Sequence, residues 1–159
     1  MELDATDIRL LDLLQEDASL SNQALAERAH TSPATALRRV RRLQEEGLIQ
    51  RQVALLDPHK LPEGLTAIVE VTLDRQGAEH LEAFQARAVA ESAVQQCWRV
   101  SPGPDFVLVI FSRAMSEHDA LVRRLFTQDA NVRNVKCFFS IARAKFDPRL
   151  PLQAMPVPA

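Results

Sequence analysis

The sequence predicts an α+β protein in two parts: a three-helix N-terminal head, then a four-stranded antiparallel sheet with helices on one face. Apolar residues recur at helical spacing through residues 3–47 and alternate from residue 65, with Pro62 and Gly64 punctuating the chain between. A length of 159 residues suits one ordinary domain or two small ones, and 47% hydrophobic with 25% charged residues is globular rather than disordered composition.

The first helix is read from "LDATDIRLLDLLQED", where Ile8, Leu11 and Leu14 share a face that Leu10 and Leu13 widen. Asp4 is its predicted N-cap, and Leu3 and Ile8 have hydrophobic-staple spacing. "LSNQALAERA" repeats the pattern, with Ser21 as cap, Leu20 and Leu25 as staple, and Leu25 and Ala29 facing inward. A third helix opens with Ser32 as N-cap and Pro33 at the first helical position, and stops at Gly47. Its inward stripe is Leu37, Val40 and Leu43, flanked by Ala36 and Gln44. Only His30 and Thr31 separate the second and third helices, so residues 1–50 read as a winged-type helix-turn-helix domain.

The stretch "LIQRQVALLDP" changes to an extended period that Pro58 ends, and residues 51–64 are read as a linking strand and hinge. "LTAIVEVTL" then sets Ala67, Val69, Val71 and Leu73 against Thr66, Glu70 and Thr72, a half-buried strand. "GAEHLEAFQARAVAE" is an amphipathic helix through Leu81, Phe84 and Ala88. "AVQQCWRV" and "FVLVIFS" form a hairpin over the turn "SPGPD". "SEHDALVRRLFTQ" is a further helix, and "NVRNVKCFFSIARAKF" a long final strand. The order βαββαβ over residues 65–148 is the ferredoxin-like arrangement, and residues 149–159 form a Pro-rich, irregular tail.

Charge is unevenly spread. The chain carries a formal −2, yet residues 32–51 hold five arginines against two glutamates, and four of those arginines lie between positions 38 and 42. Like charges on one helix repel, so the cluster is not chosen for helix stability, although Glu45 and Glu46 offset part of the cost. On the third helix after a tight turn, such a cluster points to double-stranded DNA. Arginine binds guanine edges bidentately, and Ser, Thr and Arg hold phosphates. The residues assigned to DNA are Ser32, Ala34, Thr35, Arg38, Arg39 and Arg42, with Arg41 placed near the boundary. A single small reading head buries too little surface for specificity, so a two-fold dimer is expected.

Other chemistry finds little support. Cys97 and Cys137 are too few for a disulfide framework or a zinc site and are read as small buried residues. His30, His59, His80 and His118 show no metal-ligand spacing. There is no GxGxxG, P-loop, nucleophile elbow or His/Asp pairing, so no catalytic residue, metal or cofactor is assigned and no enzyme is expected. The apolar runs are too short to span a membrane, and the acidic start "MELDATDIRLLDLL" is unlike a signal peptide, which together lead to a cytoplasmic expectation.

Taken in order, "LDATDIRLLDLLQEDASLSNQALAERA", "SPATALRRVRRLQEEGLIQRQVALLDP", "GPDFVLVI" and "KFDPRLPL" resemble the Lrp/AsnC (feast/famine) transcriptional regulators over about residues 2–152. The resemblance implies a DNA-binding head and a βαββαβ domain that senses a small effector, usually an amino acid. It also implies dimers through the sheet that assemble further, often to octamers, with effector bound between dimers near the turn joining the second and third strands. On that resemblance the effector-binding residues are Trp98, Ser101, Gly103, Asp105, Cys137 and Phe138. The turn departs from the family pattern: Pro102 stands where a glycine is expected, Gly103 is displaced by one, and Pro102 and Pro104 remove two N–H donors. A rigid hairpin whose Asp105 caps local N–H groups is an equal reading of the same residues. Siroheme decarboxylase subunits share the fold but carry a His-Asn-Tyr-type stretch where this chain has "QCWRV", and this sequence has no tyrosine.

Overall fold

The computed structural model describes residues 2–57, 60–62 and 64–152. Pro58, read as the end of the extended stretch, and residues 153–159 of the tail lie outside the described residues. The chain divides into two compact units: residues 1–56 with 145–159, and residues 57–144.

The first unit holds α1 (Ala5–Glu16), α2 (Asn22–Arg28) and α3 (Pro33–Glu45). Each starts at the cap its sequence offers. Asp4 accepts from the Thr6 and Asp7 N–H groups at 2.8 and 2.9 Å, while the Asp7 carboxylate accepts from the Asp4 N–H at 3.2 Å, a reciprocal capping box. Ser21 accepts from Ala24 N–H, and Ser32 from Thr35 N–H. Two of the helices end alike. At α3, Leu48 N–H reaches Leu43 O and Gly47 N–H reaches Gln44 O, with Gly47 at φ +74°. At α2, Thr31 N–H reaches Ala26 O and His30 N–H reaches Glu27 O, and here a non-glycine, His30, takes the left-handed position at φ +55°.

Leu10, Leu25, Ala26, Ala29 and Ala36 form the helical core, with Leu13, Leu14, Leu20 and Val40 packed on it. Leu37 does not join the inward stripe; it is 42% exposed while Leu43 is wholly buried. Each helical residue turns about 100°, so Ala36, Val40 and Leu43 fix the core line and carry Leu37 off it. Beyond α3 no strand forms through residue 57, and Gln50–Asp57 are exposed, so among the described residues the expected linking strand joins no ladder. A strand needs a ladder partner, and none of the described residues supplies one.

The second unit is a four-stranded antiparallel sheet, order β2-β3-β1-β4, from β1 (Leu65–Leu73), β2 (Val94–Arg99), β3 (Phe106–Ser112) and β4 (Val132–Phe139). Helices α4 (Ala78–Ala90) and α5 (Met115–Val122) supply the rest of the βαββαβ order. The core joins Ala67, Val69, Val71 and Leu73 of β1 to Phe106, Leu108 and Ile110 of β3 and Leu81, Phe84 and Ala88 of α4. Past α5 the chain widens into a π-helical turn, Arg123–Thr127, within which the neighbouring side chains Leu125 and Phe126 are both buried.

The last strand is shorter than its sequence suggests. Ala67 pairs with Phe139, and Ser140 N–H makes a bond to Thr66 O, by which point β1 has run out at Leu65. Residues 145–152 then group with the N-terminal helices rather than with residues 65–144, which divides the chain differently from a linear reading. Neither cysteine is fully buried: Cys97 is half-buried and Cys137 exposed, the latter because β4 is an edge strand. The sheet face away from the helices stays open and apolar, with Ile68, Trp98, Phe111 and Phe138 exposed on it. Among the described residues no helix is long and apolar enough to cross a membrane.

Candidate nucleic-acid interface and effector region

The two faces of α3 have different employment. Its inner flank carries Arg39 and Arg42, both turned to α1. Arg39 Nη1 lies 2.9 Å from Asp7 Oδ1 and 2.6 Å from Asp4 Oδ2, and Arg42 Nη2 lies 2.7 Å from Asp7 Oδ2. Asp7 is 1% exposed, so its charge exists inside the fold only because two guanidinium groups meet it. The Nε atoms of both arginines are buried, which shows their stems packed rather than solvated. Backbone N–H of Asp7 and then the Arg39 guanidinium hold the Asp4 carboxyl below its ordinary range, and the pairing with Asp4 and then Asp7 raises Arg39.

Two of the residues assigned to DNA are therefore committed to helix packing. The outward stripe is Ala34, Leu37, Arg38 and Arg41, spaced i, i+3, i+4, i+7, and all four are exposed. Arg38 and Arg41 form no ion pair among the described residues. At the start of the helix, Ser32 Oγ–H donates to Thr35 Oγ1 at 2.9 Å, which leaves the Thr35 hydroxyl hydrogen free as a donor. Asn22 of α2 donates from Nδ2 to Pro33 O at 2.8 Å, and Arg9 of α1 donates to Ala29 O at 3.2 Å, so polar bonds as well as apolar packing hold the three helices together.

The six residues expected at the effector do not converge within one chain. Side chains alternate along a strand, so Cys137, paired with Val69, faces the helices, and Phe138, paired with Ile68, faces the open side. Trp98 shares Phe138's open face but sits in β2 at the opposite sheet edge, three strand spacings or about 14 Å away. Although Cys137 as a residue is exposed, its Sγ lies 3.4 Å from Nε2 of the buried His118, and the partial burial of the sulfur there pushes its thiol up. Trp98 is 59% exposed and donates from Nε1 to Gln96 Oε1.

At the turn, Asp105 is tied into the hairpin. Its Oδ2 accepts from Leu73 N–H at 2.7 Å and from Gln76 Nε2 at 3.3 Å, its N–H donates to Val71 O, and its carbonyl accepts from Val100 N–H. Asp105 thus completes the end of β1, where the ladder to β4 slips register between Thr72 and Leu73. Ser101 and Gly103 lie on the exposed tip, Gly103 at φ +126°, which a side chain rarely adopts. A cavity of about 210 Å³ on this unit is lined by Val122, Phe126, Thr127 and Asp129 with the start of β4, and by none of the six.

Comparison with known proteins decides the family. A model described as winged helix-turn-helix DNA-binding matches residues 3–50, and one described as the Lrp/AsnC ligand binding domain matches residues 66–150. The chain belongs to the Lrp/AsnC family. A leucine-responsive regulatory protein of Rhizobium meliloti is 36% identical over 145 residues, covering 91% of this chain and 93% of its own. An AsnC-family transcriptional regulator from Agrobacterium tumefaciens superposes with a TM-score of 0.85 at 29% identity, over 96% of this chain and 99% of that one. A transcriptional regulator from Neisseria meningitidis in complex with L-Met gives 0.83 at 31% identity, over 94% and 97%. The chain is accordingly a transcriptional regulator of the Lrp/AsnC type.

Within this Lrp/AsnC chain, the exposed arginine that sequence reasoning placed only near the boundary is Arg41. Its signal was present: 34, 38, 41 and 45 repeat at four, three and four residues, the spacing of one helical face. Taking Leu37 as core rotated that face and put Arg39 and Arg42 outside in place of Arg41.

Proposed function

We propose that this Lrp/AsnC regulator grips double-stranded promoter DNA with the outward stripe of α3. Arg38 and Arg41 meet base edges or the flanking backbone, Thr35 and Ser32 serve phosphates at the helix start, and Ala34 allows close approach. The observation that carries this is a division of labour among four arginines, with Arg39 and Arg42 paired to Asp7 and Arg38 and Arg41 exposed without an ion-pair partner among the described residues. A homodimer, assembling to larger forms such as an octamer, presents two such heads; the open apolar face around Ile68 and Phe138 supports it. A small effector of the amino-acid class tunes binding by favouring one assembly over another, a reading supported by the L-Met complex of the Neisseria relative. The hairpin tip with Ser101 and Gly103, together with Trp98, is the chain's contribution to that effector site, and Asp105 holds the tip in place. The chain works in the cytoplasm as a regulator rather than an enzyme, in keeping with the names its relatives carry.

The test is the salt dependence of binding to a promoter fragment. Arg38→Gln and Arg41→Gln are each expected to lower the slope of log affinity against log salt by about one unit for each phosphate no longer neutralised, or to relax one base position if the arginine meets a base. Arg39→Gln is expected to leave the slope alone and to lower the melting temperature. Slopes and base preferences that are the same for all three variants and the parent would overturn the assignment.

A further inference from the structure

Leu37 is the unexplained residue of the outward stripe. The helical core is built from Leu10, Leu25, Ala26, Ala29 and Ala36 with Val40 against it, and Leu37 has no part in it. A lone exposed leucine is ordinary. This one is distinguished by its company, three residues after the exposed Ala34, beside Arg38, and four before Arg41. If the arginines lie in the major groove, Leu37 is carried there with them. The groove offers hydrogen-bond donors and acceptors at every base pair but only one apolar group, the C5-methyl of thymine. Against a G·C pair the isobutyl group would cover acceptors without replacing their water; against thymine it finds a matching surface.

We propose that Leu37, with the Ala34 methyl beside it, reads the C5-methyl of a thymine next to the bases met by Arg38 and Arg41. Leu37 is then a specificity-determining residue, and the operators of this regulator carry a T·A pair at a fixed step from the bases the arginines meet. The proposal rests on the reading that α3 enters DNA.

The experiment begins by selecting a preferred duplex from a randomised library with the full chain, then replaces each of its thymines singly by deoxyuridine, which pairs identically and lacks only the methyl. The parent chain is expected to lose about fourfold in affinity at one or two positions, the worth of one buried methyl, and nothing elsewhere. Leu37→Ala and Leu37→Gln should erase that loss, while Arg38→Gln, weaker on every duplex, should keep it. Indifference of the parent to every replacement overturns the proposal, as does a Leu37→Ala chain that keeps the loss. A Leu37→Ala chain that sediments as a smaller assembly and keeps the loss shows that a second copy covers Leu37, and overturns it too. Failure of the underlying reading looks different: Arg38→Gln and Arg41→Gln would bind like the parent with an unchanged salt slope.

Discussion

A carboxylate 1% exposed between two guanidinium groups is stable only while its partners remain, and the converse holds for them. Asp7→Ala leaves Arg39 and Arg42 facing each other across the space their shared anion filled. The expected cost is about 3 kcal/mol, the low end for breaking a buried pair because Arg42 is partly exposed, read as a drop in the urea midpoint. Asp4 adds a pH dependence. Its folded pKa lies below the ordinary 3.8, so the unfolded chain binds the proton more readily. The stabilisation is complete above that ordinary value and fades as pH falls through the lower folded value; Asp4→Asn should flatten that part of the unfolding curve between about pH 5 and pH 2. Caps were legible in the sequence because Asp4, Ser21 and Ser32 act within three residues of their partners. The Asp7 network was not, because Arg39 and Arg42 lie 32 and 35 positions away and nothing local marks which acid they will meet. Asp105 was legible only as two alternatives, and the backbone N–H its carboxylate meets is neither's: it belongs to Leu73, 32 residues back, and not to the local turn.

Strands and helices whose pattern is self-contained follow the sequence in kind, and the departures come where an element depends on a neighbour. Residues 140–146 keep a strand-like composition, yet β4 ends at Phe139 because β1 has no more backbone to offer. Residues 51–57 carry Val53, Leu55 and Leu56 in extended sequence, and with no partner strand all three stay exposed. The turn joining α2 to α3 is the element on which DNA reading depends, and it closes on His30 in a left-handed conformation that an L side chain enters at a cost of roughly 1–2 kcal/mol. Its two backbone bonds, Thr31 to Ala26 and His30 to Glu27, make that conformation obligatory. His30→Gly should therefore raise stability by up to about 1 kcal/mol, part of the gain being returned through the freer unfolded chain, whereas the β-branched His30→Val should lower it. Thermal unfolding of the two variants checks the order, and a glycine variant less stable than the valine one would show that the imidazole supports the turn.

At the scale of the whole chain, the DNA-binding unit is assembled from both termini: the chain leaves it after residue 56 and re-enters at Lys145. The returning segment is fixed by a two-point bond, Gln15 Nε2 donating to Leu150 O at 3.1 Å and Leu150 N–H donating to Gln15 Oε1 at 2.7 Å. An amide side chain here does what a neighbouring strand would do, satisfying both backbone groups of one residue. Beside it, Arg149 pairs with Asp147 and holds that carboxyl down to about 2, so the ion pair persists across the range in which a regulator would work. Closure by a segment encoded after the sheet means that α1 is held by the far end of the chain, and through Asp7 α1 in turn holds α3. Loosening the segment should then be felt locally and in a graded way. Gln15→Glu keeps the acceptor and loses the donor, while Gln15→Ala loses both. With a net worth near 1 kcal/mol for each bond, amide exchange at Leu150 should quicken about fivefold in the alanine variant through loss of its own acceptor, and less in the glutamate variant, which retains it. Amides of β1 and β3 should exchange as in the parent, because they open with the sheet unit and not with the helices. Equal protection of Leu150 in all three chains would mean that the two-point bond does not hold the segment, and that α1 keeps its place through its own helical core.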